Sequence, residues 1–100
     1  MTNTELDREV AEAQGWVCDE YGPDGWVWRD NKGNRKCIAN EYHPTTNWQQ
    51  CGELIEKYKL SLWFSRADNL WVCTDHRITD ITGKTPQEAV CKAVVVMEGE

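Results

Sequence analysis

In "CTDH", Cys73 and His76 stand three residues apart, as near to a metal half-site as this chain comes. An extended strand sends those two side chains to opposite faces, which argues against shared coordination. No C-x-x-C pair occurs. Cys18, Cys37 and His43 could complete a zinc site only through tertiary placement, so the expectation is no metal and no cofactor. The five cysteines (18, 37, 51, 73 and 91) are odd in number and scattered, and they are read as reduced, small buried thiols.

Acyl transfer would need a nucleophile beside His43 or His76, with Cys51 or Cys73 as candidates that only the fold could bring there. Carboxylates are plentiful, yet none sits in an apolar context that would raise its pKa for acid catalysis. "YGPDG" carries Pro and Asp, the wrong chemistry for a phosphate-cradling loop. The residue types therefore predict a protein that is not an enzyme.

The chain's net charge is −6, and residues 1–30 alone hold eight acids against Arg8 and Arg29. Residues 31–60 are basic by two and residues 61–100 acidic by two. Such a surface repels phosphate backbones, which disfavours direct nucleic-acid binding, so none is expected, and favours basic partners. The longest apolar runs, "SLWF" and "AVVVM", are far too short to span a bilayer, and "MTNTELDREVAEAQ" lacks the pattern of a secretory signal. No membrane partner is expected, and a cytoplasmic location follows.

These candidates are positioned by elements that the patterning predicts. In residues 4–14, Leu6, Val10 and Ala13 recur at helical spacing and Gly15 is a natural stop, while Glu5, Glu9 and Glu12 form a carboxylate row beside the apolar stripe. Three short strands follow near 16–19, 26–30 and 35–39, with Trp26 and Trp28 on one face and "NKGN" closing a hairpin. Thr46 or Asn47 caps a second helix whose stripe is Trp48, Cys51, Ile55 and Tyr58. "LSLWFSR" alternates as a half-buried strand with Trp63 on its more polar face, "LWVCT" is its antiparallel partner, and "RITDI" is a weaker strand. "TPQEAVCKAVVVM" opens with a Thr85/Glu88 capping box and Pro86 at N1. The predicted order is α-β-β-β-α-β-β-(β)-α in a single domain over residues 1–100. That is an α+β fold, an antiparallel sheet with helices packed on it as an α/β/α sandwich.

Six Trp in 100 residues call for a role. Trp16, Trp48 and Trp71 are expected to fill core, with Trp48 anchoring the first turn of the second helix. Trp26, Trp28 and Trp63 fall where partial exposure is expected, able to stack a ligand or anchor an interface, against the plainer reading of a hairpin whose Trp pair covers the core. Arg29, Lys32, Arg35 and Lys36 make a basic hairpin tip beside two of them.

Taken in order, "NTELDREVAEAQGW", "YHPTTNWQQCGELIEKYKLSLW", "LWVC" and "GKTPQEAVCKAVVVM" resemble the small phage and prophage proteins of the phage ABA-sandwich domain family. More loosely, they resemble the nin-region proteins of lambdoid phages. The resemblance covers residues 3–17 and 42–97. It implies a three-layer α/β/α sandwich in a phage accessory protein, located in the cytoplasm of the infected bacterial host, with no catalytic residues to carry across. The hairpin around "GPDGWVWRDNKGNRK" matches nothing in that pattern and is the natural home of whatever is particular to this chain.

The expectation that follows is a non-catalytic binding protein that inhibits a host defence complex, in the manner of an anti-CRISPR protein. Glu5, Glu9, Glu12, Asp19, Glu20 and Asp24 would imitate a phosphate row toward a basic, nucleic-acid-binding groove, and Trp26 and Trp28 would supply lasting affinity. The alternative is a binder sequestering a nucleotide signal among Trp26, Trp28, Arg29, Arg35, Lys36, Trp63 and Arg66. A further alternative is a phage structural or replication accessory. A homodimer is compatible with any of them.

Overall fold

The computed structural model describes residues 3–22, 25–38, 41–75 and 78–98. Its elements are α1 (Asn3–Ala13), β1 (Val17–Gly22), β2 (Gly25–Arg29), β3 (Arg35–Ile38), α2 (Trp48–Tyr58), β4 (Ser61–Ser65), β5 (Leu70–Asp75), β6 (Ile78–Gly83) and α3 (Pro86–Glu98). The order is the one that the patterning predicts, in a mixed α+β fold with helices packed against sheet. The strands divide into two antiparallel three-stranded sheets, β1-β2-β3 and β4-β5-β6.

α3 is the centre of the molecule. Ala89, Val90, Cys91, Ala93, Val94 and Met97 are buried, because the helix packs against α1 and α2 as well as against β4–β6. Its N-terminus forms as the capping chemistry requires: Thr85 Oγ1 accepts from the Glu88 N–H at 3.1 Å. The Glu88 carboxylate accepts from the Lys84 N–H, one residue upstream of the usual capping-box donor, at 2.9 Å. Lys92, one turn on and 2.9 Å away, is the main reason the Glu88 carboxyl lies below its ordinary range.

On the second sheet, Leu62, Trp71, Cys73 and Ile81 share the face turned to the core. Trp63 stands on the other face, exposed and paired in register with Val72. α1 ends at Gly15 (φ 83°), where the Trp16 N–H reaches back to the Ala11 carbonyl and closes the last turn. α2 ends instead on Lys59, held left-handed at φ 55° with its N–H bonded to the Ile55 carbonyl. Glycine takes that conformation without steric cost, so Lys59→Gly is expected to stabilise the protein by about 0.5–1 kcal/mol, checked by thermal melting.

Two Trp expectations are corrected. Trp48 is 55% exposed, not a core anchor. Asn47 is the N-cap, accepting from the Gln50 N–H at 3.0 Å, so Trp48 is the first helical residue. Its side chain leans toward the helix start, past the edge of the core that Cys51 and Leu54 fill. Trp28, expected to be partly exposed, is buried: it joins the core on the face it shares with its register partner Cys37, which packs there half-buried, while its β1 partner Cys18 stays exposed. Trp16 and Trp71 do pack against the core, each half-buried.

Candidate functional site

The side chains best placed for recognition line a groove of about 570 Å³ between α1 and the first sheet. Thr4, Asp7, Arg8 and Glu12 contribute from α1, Cys18, Trp26 and Trp28 from β1 and β2, and Tyr42 and His43 from the loop before α2. Each arrives for a local reason. The period-two pattern of β2 puts Trp26 and Trp28 on one face, and the helical period puts Thr4, Arg8 and Glu12 along one flank of α1.

Asp7 holds the groove's inner end together. It is buried, and a buried carboxylate requires partners. One oxygen accepts from the Thr45 N–H at 2.9 Å, and the other lies 3.2 Å from His43 Nδ1. The same loop is clasped from α2. The His43 N–H donates to Gln50 Oε1 at 2.6 Å, and Gln50 Nε2 donates to the Glu41 carbonyl at 2.9 Å. Tyr42 is thereby fixed beside Trp16, ring centroids 4.9 Å apart, with its hydroxyl accepting from Gln14 Nε2 at 2.8 Å. Burial pushes the Tyr42 hydroxyl well above the usual phenol range, so it stays protonated as groove wall.

Trp26 is the exposed member, at 56%, beside buried Trp28 and Tyr42. At the lip, the Arg8 guanidinium lies 3.8 Å from Glu12, both side chains largely in solvent. The groove is therefore an aromatic recess with the Glu12 carboxylate and Arg8 at its lip and the buried Asp7 carboxylate at its inner end.

Of the expected partner-binding residues, Trp26, Trp28 and Glu12 meet in this groove. Glu5 is exposed on the outer face of α1, and Glu9 leans to the opposite flank, beside Asp80 and Lys92. The backbones of Asp19 and Glu20 belong to β1, but their side chains, like Asp24, lie outside the described residues.

The alternative ligand set is divided. Arg29 donates to the Gly33 carbonyl at 3.2 Å, and Lys36 lies 3.8 Å from Asp30. Asp30 itself caps the turn, accepting from the N–H groups of Lys32 and Asn34 at 2.9 Å each. The bond from the Asn34 backbone is the main reason its carboxyl lies below the ordinary range. Arg35 is exposed on β3, while Trp63 and Arg66 belong to the second sheet and the turn after β4.

Asp7, Arg8, Tyr42 and His43 are site residues that sequence reasoning did not assign to the groove. Asp7 was findable, since it sits between Leu6 and Val10 on the buried arc of α1, where an isolated carboxylate signals a specific partner. His76 lies outside the described residues. Among those described, no group of three His, Cys, Asp or Glu side chains converges as metal ligands.

Fold and groove define a small α+β protein with an aromatic, acid-edged recess. The chain belongs to the family described as Bacteriophage P22, NinX, whose model matches residues 1–98. It is a phage accessory protein, as its resemblance to nin-region proteins implies. No curated protein matches the chain. No helix among the described residues is long and apolar enough to cross a membrane.

Proposed function

We propose that this accessory protein acts without catalysis, by binding a host protein complex through the groove and the acidic outer face of α1, in the host cytoplasm. The finer reading is that the complex is a host defence system whose basic, nucleic-acid-binding surface the carboxylates occupy. The observation that supports this reading is the placement of Trp26. A half-exposed indole stands over a recess with buried aromatic walls and Glu12 at its edge, the combination of anchor and charge that concentrates binding energy in protein interfaces. Glu5 and Glu9 extend the negative face beyond the groove and favour encounter with a cationic partner.

The test is capture of partners from host lysate by the tagged protein and its variants. Reversing Glu5, Glu9 and Glu12 to Lys together is expected to abolish capture at physiological salt, and Trp26→Ala to weaken it about tenfold or more. High salt should release what is bound. A partner retained undiminished by both variants would overturn the proposal.

A further inference from the structure

We propose that the groove receives an arginine side chain from a basic protein segment, and that Arg8 stands in for it in the free protein. The inference rests on the binding reading above and adds the chemistry of the occupant. The groove offers the exposed indole of Trp26 over buried walls of Trp28 and Tyr42, and the exposed Glu12 carboxylate at its lip, while Asp7 at the inner end is already held by Thr45 and His43. Indole faces attract cations, and a planar guanidinium can stack on the ring while pairing sideways with a carboxylate. Phosphate or an acidic segment would meet Glu12 and the acidic N-terminal third of the chain. A purely apolar segment would bury the Arg8–Glu12 pair without replacing it, and burying charges carries a desolvation cost that apolar contact does not offset.

Arg8 makes the case specific. Its side chain is 74% exposed and touches Glu12 only at 3.8 Å, a surface pair of the kind that contributes little. It also lines the groove that Trp26 overhangs. An incoming arginine can take Glu12 while Arg8 swings into water, so the number of ion pairs is unchanged and the stacking on Trp26 is gained. Removing Arg8 should then strengthen binding.

Binding of a fluorescein-labelled oligoarginine peptide, followed by anisotropy at physiological salt, tests this, with melts confirming that each variant is folded. Trp26→Ala is expected to weaken binding about tenfold. Glu12→Gln should weaken it, and Arg8→Ala should tighten it about two- to threefold, the scale of one exposed ion pair. Lys84→Ala removes one positive charge away from the groove and should change nothing. Equal gains from Arg8→Ala and Lys84→Ala, with no loss from Trp26→Ala, would mean attraction to net charge alone and overturn the proposal. Oligolysine binding as tightly as oligoarginine would overturn the guanidinium assignment, and free arginine competing as well as the peptide would overturn the protein segment. If a host partner is captured through Trp26 but oligoarginine does not compete for it, this inference fails while the binding reading stands.

Discussion

Replacing Gly83 by alanine is expected to destabilise the protein by about 3 kcal/mol or more, lowering its melting temperature by roughly 15 °C. A Cβ built on Gly83 would lie 2.6 Å from the Ala89 backbone nitrogen and 3.1 Å from its Cα. Those atoms belong to the first turns of α3, and helix backbone cannot move aside as a side chain tip can. Because α3 also packs on α1 and α2, lifting it off β6 disturbs all three helices and the core between them. The cost is crowding, not backbone conformation, since Gly83 does not adopt a positive φ. Gly52 supplies the matched contrast. It sits mid-helix in α2, where an added Cβ would meet nothing within 4 Å, so Gly52→Ala should stabilise by about 0.5–1 kcal/mol through helix propensity. Thermal and urea melts of the two variants should move in opposite directions. A Gly83→Ala protein as stable as the parent would mean that α3 does not approach β6 this closely.

Alkaline pH should unfold the protein steeply. Cys51, Cys73 and Cys91 are fully buried, and burial pushes the thiols of Cys51 and Cys73 up to about 11 and about 12 from an ordinary 9.0, with Cys91 raised likewise. Below pH 9 folded and unfolded chains both hold these protons, so the thiols contribute no pH dependence. Above it the unfolded chain releases three protons that the folded chain keeps, and stability falls with rising pH until the folded thiols themselves ionise. Three such groups give a slope of roughly 4 kcal/mol per pH unit between about pH 9 and 11, enough to exhaust an ordinary domain's stability within one to three units. Urea melts at pH 8, 9 and 10 in the presence of reductant measure the slope directly. Cys18→Ala, which removes an exposed thiol, should leave it unchanged. Stability that stays level from pH 8 to 10 would show that the three thiols are not desolvated.

The order of elements was legible because each has a local cause. The stripe Leu6–Val10, the Thr85/Pro86/Glu88 start and the "NKGN" turn act within a few residues, and the structure repeats them with bounds shifted by a residue or two. The Trp assignments were less legible. Trp48 lies on the right helical spacing for burial, yet spacing says nothing of where the neighbouring element ends, and as the first helical residue it stays 55% exposed. Trp28 and Trp26 share a face by the period of a strand, but one is buried and the other open, because α1 and the Tyr42 loop cover only one end of that face.

An acidic α+β protein, the order of its elements, and a Trp-bearing hairpin following an acidic helix can all be read from the residues alone. Those properties follow from composition and from periods of two and 3.6, which neighbouring residues set among themselves. Only the tertiary structure decided that Asp7 is buried, that it ties α1 to His43 and Thr45 across a sequence separation of 36 and 38 residues, and that Glu12, Trp26 and Tyr42 meet in one groove. A carboxylate in an apolar stripe is satisfied by whatever donors the fold brings to it, and no local pattern names donors that far along the chain.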